Sequence, residues 1–389
     1  MIFGGTGSEV LQNYIAEPVH QYEHPDDILN VRVLFRALLT GKLSSEGYLL
    51  SYLTFVKPDV VVTMEDNNPL FYRISAARPS VRTIAVQNGR RDNFASSPEG
   101  GFFEELTRLR HNSGVYVDTL CIFGSAILPL YSAALGSSGY RKACITGSLR
   151  NNAVAPTLSN GKPRVLYISS MPNFELGSDP ESEQTLAYYH GSPITFNDNW
   201  SWEAAVVREA ARFARVNGME FVVVGKRSSR HEGERMHFEV LLKNQNFTFC
   251  PAENQTSSYR EVQPSDAVIA VDGTLAYEML GRGIRVGFAS ARLTAAGLGH
   301  FKDCNFGFPM KLEDRGPFWT NQADPGEVHR ILDFLTSSTD QEWSSISTEL
   351  RRQLMAYDQM NHTFCELLRE LGIQSTGARF WDDDLIPEN

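Results

Sequence analysis

The stretch Ser265-Asp-Ala-Val-Ile-Ala-Val-Asp-Gly-Thr-Leu-Ala-Tyr-Glu278 joins a short apolar run to a polar turn and then to a helical pattern. A continuous run of small and branched apolar residues fits a strand buried on both faces, which is the environment of a parallel sheet. Gly273 permits a tight turn, and Thr274 can cap a helix that starts there. Glu278, four residues on, shares a helix face with Thr274. The free N–H groups and positive dipole end of such a helix suit a phosphate or a carboxylate. A carboxylate at Glu278 could accept hydrogen bonds from ribose hydroxyls. The competing reading is an ordinary strand–helix junction with Asp272 as a turn residue.

Similar runs lie on either side. Val60–Thr63, Thr83–Val86, Leu120–Phe123 and Ala143–Thr146 read as strands, with a helix over Asn68–Ala77. Arg164–Ile168, Glu220–Val224, Phe247–Cys250, Ala267–Val271 and Ile284–Phe288 read as a second set, with helices over Trp202–Val216 and Thr274–Leu280. Strands alternating with helices predict parallel sheets with helices on their faces. The segment 153–163 is rich in Pro, Ser, Asn and Gly and reads as a linker. The expectation is therefore an N-terminal domain over 1–152, that linker, and a C-terminal domain over 164–338. A helical tail over 339–389 follows, with a break near Asn361 and a solvated end at Asp382-Asp383-Asp384. In fold class this is α/β, two Rossmann-like domains whose parallel sheets face an interdomain cleft. Ligands of such sheets bind outside the carboxyl ends of the strands.

Composition bounds the function. The chain has 389 residues, 42% hydrophobic and 21% charged, enough to bury two cores. Its net charge of -10, from 36 basic and 46 acidic residues, argues against bulk nucleic-acid binding. Five scattered cysteines without a C-x-x-C pair suggest reduced thiols and no zinc site. The N-terminal sequence lacks the pattern of a secretory signal, and no apolar run approaches the ~20 residues of a membrane span. These features predict a cytoplasmic protein and leave peripheral contact with the inner membrane open. The phosphate loop G-x-x-x-x-G-K-[ST] and the G-x-S-x-G elbow are absent, and Gly4-Gly5-Thr6-Gly7 lacks the full dinucleotide fingerprint. With no D-x-D pair outside the tail, no metal and no cofactor are expected.

Several polar groups follow predicted strands. Glu65 and Asp66 are the candidate catalytic carboxylates, since neighbouring charge can tune one of them as a base or nucleophile. A turn or helix cap is the alternative. Gln87 and Asn88 are candidate acceptor contacts or simply turn residues. Ser169, Ser170, Lys226 and Arg227, with Arg230 nearby, could hold a phosphate or a sugar carboxylate. His190, in an aromatic-rich loop, could touch a base or sugar or move a proton, although a lone histidine is more often structural.

The run Asp272-Gly-Thr-Leu-Ala-Tyr-Glu278, then Gly281-Arg-Gly283 and another strand, resembles the donor-binding segment of GT-B glycosyltransferases. Thr63-Met-Glu-Asp-Asn-Asn-Pro-Leu-Phe-Tyr72 with Val86-Gln-Asn-Gly89, and Thr146–Asn152, resemble the N-terminal domain of bacterial surface-carbohydrate biosynthesis proteins that make O-antigen or capsule. The strand ending in Gly225-Lys-Arg, with Glu234 downstream, fits the same group. The resemblance covers roughly residues 55–290. It implies that Asp272, Gly273, Thr274 and Glu278 bind the phosphate and nucleotide of a nucleotide-sugar donor. It also implies transfer to a growing polysaccharide, lipopolysaccharide or lipid-linked glycan, with CMP-Kdo as one donor candidate beside UDP- and GDP-hexoses. Two alternatives stay open: a nucleotide-sugar epimerase, and a non-catalytic partner in a polysaccharide assembly complex.

Overall fold

The computed structural model describes residues 1–16, 19–22, 30–92, 94–95, 98–158, 161, 163–170, 184–226, 231–243 and 245–381. The chain forms two compact units, one of residues 1–89, 102–153 and 358–389, the other of 90–101 and 154–357.

The first unit is built on a six-stranded sheet in the order Gln21–Tyr22, Ile2–Phe3, Val60–Thr63, Arg82–Val86, Val117–Ile122, Tyr140–Ile145. Every neighbouring pair is parallel. All four residues of Val60–Thr63 are buried, as a strand covered on both faces requires. The strand period of two sorts side chains between two cores. Ile2, Val60, Val62, Ile84 and Val86 join one, with Val10 and Leu11 of helix Ser8–Tyr14 and Phe364, Leu367 and Leu368 of helix His362–Glu370. Phe3, Val61, Ala85, Leu120 and Ile122 join the other, with Leu49 and Leu53 of helix Ser45–Val56 and Leu106 of helix Phe102–Ser113. From Ile2–Phe3 the chain passes to one edge of the sheet and then returns to fill the other side. Its topological switch point therefore lies between Ile2–Phe3 and Val60–Thr63, where open α/β sheets hold their ligands.

The second unit repeats the plan. Its seven-stranded sheet runs Thr248–Cys250, Glu220–Val224, Arg164–Ile168, Ala267–Ala270, Val286–Ala289, Trp319–Thr320, Arg315–Gly316, parallel except for the last hairpin. Here the switch point falls between Arg164–Ile168 and Ala267–Ala270. A smaller antiparallel sheet pairs Thr185–Tyr189 with Ser192–Thr195 and with Phe94–Ala95.

The structure redraws parts of the expected layout. Residues 90–101 belong to the second unit because Phe94–Ala95 pairs with Thr185–Tyr189. The helical tail expected from 339 is divided. Helix Asp340–Leu354 packs on Thr274–Gly281, and Trp343 Nε1 donates to the Gly283 carbonyl at 2.7 Å, all within the second unit. Residues from Asp358 onward belong to the first. Asn152 Nδ2 donates to Asn361 Oδ1 at 2.9 Å, and Asn361 Nδ2 donates to the Leu149 carbonyl at 2.8 Å. The break near Asn361 is real: Met360 and Asn361 have φ of 62° and 59°. The helix expected from Asn68 begins at Arg73, after turns. The one expected from Trp202 begins at Phe196, because Thr195 and Asp198 form a capping box there. Asp382-Asp383-Asp384 lie outside the described residues.

Candidate functional site

At the first unit's switch point the strand Val60–Thr63 delivers Glu65 to the glycine-rich turn that follows Ile2–Phe3. Glu65 Oε1 accepts from the backbone N–H of Gly5 at 3.0 Å and of Thr6 at 3.2 Å. Its other oxygen meets Asn68 Nδ2 at 3.4 Å. Gly4 has φ of 88°, which favours glycine, and a Cβ on it would lie 2.2 Å from the Glu65 carboxyl carbon and push that side chain away. Glu65 is half-buried. The turn thus positions one carboxylate oxygen by two backbone donors and leaves the second with a single long contact.

Asp66 points the other way. It is buried, and its two oxygens accept from Asn88 N–H at 3.0 Å and from the Tyr131 hydroxyl at 2.5 Å. Tyr72 donates to its carbonyl at 2.8 Å. Both oxygens of Asp66, expected as a catalytic group, are thus engaged within the protein. Gln87 is buried as well. Its Oε1 accepts from Phe123 N–H and its Nε2 donates to the Gly89 carbonyl, both at 2.9 Å, so it ties two strand ends together. Asn88 is half-exposed, and its backbone supports Asp66.

In the second unit, Ser169-Ser170 and Asp272-Gly273-Thr274 end the two strands that flank the switch point, and Lys226 follows the next strand. The helix Thr274–Gly281 starts there with Gly273 as its N-cap. Thr274 does not cap it. Its hydroxyl accepts from the Arg90 N–H at 3.2 Å. A Cβ on Gly273 would meet nothing within 4 Å among the described residues. Lys226 is exposed, while its N–H reaches both oxygens of buried Glu234 at 3.1 Å. Arg227 and Arg230 lie outside the described residues.

Asp272 is the centre of an ionic network. Asp272 pairs with Arg90 at 2.5 Å, lies 3.7 Å from Arg292, and accepts from Gly273 N–H at 2.7 Å. Burial alone would raise its pKa; the two guanidiniums outweigh that and hold it below the usual carboxylate range. Arg292 also contacts Glu203, which is fully buried, and Ser170 at 3.1 Å. The Ser170 hydroxyl donates to Glu203, and Tyr167 lies 3.4 Å from the same carboxylate. Arg90 further donates to the Asp303 carbonyl at 2.6 Å. The hydroxyl of Ser169 donates to Glu234 at 2.5 Å, and Tyr259 donates to Glu278 at 2.9 Å. Ser169, Ser170 and Glu278 are all buried. All three, expected as donor contacts, are engaged with buried acids or tyrosine in the second unit.

His190 occupies a hairpin turn, with φ of 46° followed by Gly191 at 78°, the pattern of a type I′ connection. Its Nε2 meets Asp303 Oδ2 at 2.5 Å, and its ring stacks on Phe301 at 4.7 Å. Asp92, Asp272 and Cys304 bring ligand atoms within 4.8 Å of one another. Burial pushes the Cys304 thiol up, and Asp272 is paired with two arginines.

Arg90, Arg292, Glu203, Asp303 and Tyr131 were not foreseen from the sequence. Arg90 directly follows Gln87-Asn88-Gly89, and Arg292 closely follows a strand, so both occupy the positions where ligand loops form. The others sit inside helices or loops with no local signal.

Among solved structures, the wall teichoic acid polymerase TagF matches with a TM-score of 0.50 at 10% identity, over 95% of this chain and 80% of its own. Staphylococcus aureus MnaA, solved with UDP, matches at 0.49 and 11% identity over 98% of both chains. A mutant of S. aureus TarM, in complex with Fondaparinux, alpha-GlcNAc-glycerol and UDP, matches at 0.42 and 9% identity over 79% of this chain. This chain spans 55% of that one. Likeness at these identities is one of fold, and with TagF it agrees with the two parallel-sheet units of the GT-B class. No curated protein matches the chain. A family profile matches residues 84–372, and the chain belongs to that family, described as "putative O-antigen biosynthesis protein".

Proposed function

We propose that the protein is a glycosyltransferase that moves a sugar from a nucleotide donor to a growing surface polysaccharide. The observation that carries this reading is the second unit's switch point. There, Asp272-Gly273 leads into a helix N-terminus, with an exposed cation at Lys226 and an ionic network at Asp272. Backbone N–H groups at such a terminus suit a donor phosphate. Asp272 and Arg90 hold the turn in shape, and Arg292, Glu203 and Ser170 hold Asp272 in turn.

In the first unit Glu65 is the group to accept the proton of an acceptor hydroxyl. The Gly5 and Thr6 amides fix one oxygen, and the other, with only a long contact from Asn68, meets the substrate. Asp66 supports the strand end. The finer reading of the donor as a CMP-activated acid sugar such as Kdo rests on the sequence resemblance, as does a lipid-linked or lipopolysaccharide acceptor met from the cytoplasm. Membership of the O-antigen biosynthesis family supports the polysaccharide assignment.

The test is Glu65→Gln, which keeps the size and an acceptor oxygen. Donor binding should be retained while transfer to O-antigen-type glycan acceptors falls by roughly 10²–10⁴-fold. Transfer at the wild-type rate would remove Glu65 from the mechanism. Absence of transfer by the wild-type protein with every donor that binds would instead favour a non-catalytic partner.

A further inference from the structure

The helix Val31–Leu39 in the first unit is apolar on two opposite sides. Its inner side places Val33 and Ala37 in the protein. Its outer side presents Val31, Phe35, Leu38 and Leu39, spaced by four, three and one, at 76%, 61%, 50% and 72% exposure. Leu43 and Phe55 are exposed beside it, at 69% and 51%. Six of the eleven large apolar side chains exposed among the described residues thus fall within residues 31–55. Scattered exposed leucines need no explanation, but a cluster of this kind marks a surface that something covers.

Charge says what covers it. Residues 30–45 contain Arg32, Arg36 and Lys42 and no acid, in a chain of net charge -10. All three cations are exposed, and none is ion-paired with another described residue. The Arg36 guanidinium lies over the Phe55 ring at 5.8 Å, so cation and apolar surface are interleaved. Asn30 fixes the start of the helix by accepting from Arg32 and Val33 N–H groups at 3.0 and 3.4 Å. A preformed helix with bulky apolar side chains outward and basic residues among them has the chemistry of an interfacial membrane helix. Its apolar side chains enter the boundary between headgroups and acyl chains, and its cations meet lipid phosphates. A second copy of this chain would set like charges against each other if the same patch met itself.

We propose that the surface formed by Val31, Phe35, Leu38, Leu39, Leu43 and Phe55, with Arg32, Arg36 and Lys42, docks the protein onto an anionic phospholipid bilayer. This does not rest on the glycosyltransferase reading. No helix among the described residues is long and apolar enough to cross a membrane, so the contact would be peripheral.

Co-sedimentation of the full chain with vesicles tests it, using phosphatidylcholine alone or mixed with phosphatidylglycerol. The wild-type protein should pellet with the mixed vesicles and stay in solution with phosphatidylcholine alone. Phe35→Ser combined with Leu39→Ser should abolish binding. Arg32→Gln combined with Arg36→Gln should weaken it by roughly tenfold or more and flatten its salt dependence. Circular dichroism and melting temperature should be unchanged in both, since the altered side chains are exposed. Absence of the wild-type protein from the anionic pellet would overturn the proposal, as would undiminished binding by either double variant. So would a wild-type dimer in sedimentation velocity that Phe35→Ser/Leu39→Ser converts to monomer without any vesicle binding, since the patch would then join two copies.

Discussion

Glu203 is fully buried, and Arg292 is its counter-charge as well as a neighbour of Asp272. Removing one member of a buried pair leaves the other uncompensated, which costs about 3–5 kcal/mol. Arg292→Met should therefore lower urea-denaturation stability by that order, and adding Glu203→Gln should restore part of it. A fully additive loss in the double variant would show that the two groups are not coupled. His237 supplies a second residue-scale prediction. Burial lowers its pKa to about 4, and its ring lies edge-on to Trp200 at 4.3 Å. Below the ordinary histidine value of ~6.5, the unfolded chain takes up a proton that the folded chain does not. Stability should therefore be full above that value and fall as pH drops towards 4, by roughly 3 kcal/mol if this group acts alone. His237→Gln should remove that slope from the pH dependence of unfolding. Partners of this kind explain which site residues were legible in sequence. Glu65 and Asp66 both announce themselves by following a buried strand. What separates them is Tyr131, 65 residues away, which claims Asp66, and the Gly5 and Thr6 amides, which hold Glu65. No local pattern carries that information.

Elements were easier to read than roles. Val60–Thr63 and Ala267–Ala270 are buried throughout, and continuous apolar runs identify such strands directly. Helix starts were harder where apolar spacing was the guide and the cap lay further upstream, as at Thr195. The tail pattern was read as helical with a break, but its division was not, because the partners of Asn361 and Phe364 lie far away in sequence. Helix His362–Glu370 closes one core of the first unit through Phe364, Cys365, Leu367 and Leu368, each almost fully buried. A chain ending after Tyr357 should leave the apolar partners of these residues uncovered. The expected result is loss of the cooperative unfolding transition of the first unit in calorimetry, with protease cleavage concentrated in residues 1–89. A truncated chain as resistant as the full one would show that the helix is dispensable.

For the whole molecule, two repeats of one architecture each place their polar groups at a switch point: Glu65 with the Gly4–Thr6 turn in the first unit, Asp272-Gly273-Thr274 with Ser169-Ser170 in the second. The α/β class and the doubled plan were visible in the alternation of strands and helices. The assignment of residues 90–101 and 358–389 was not, because it depends on where the chain returns. Under the proposed function the second unit holds a nucleotide-sugar donor. The most direct measurement is the melting temperature of the full chain against CMP, UDP, GDP and their sugar conjugates, with Lys226→Ala alongside. A ligand that binds only the folded state raises the melting temperature in proportion to the logarithm of its concentration once it is in excess. Such a rise is expected for one nucleotide class, and Lys226→Ala, with an unchanged melting temperature in the absence of ligand, should weaken it. No rise with any nucleotide or nucleotide sugar, from protein that melts cooperatively, would contradict that function.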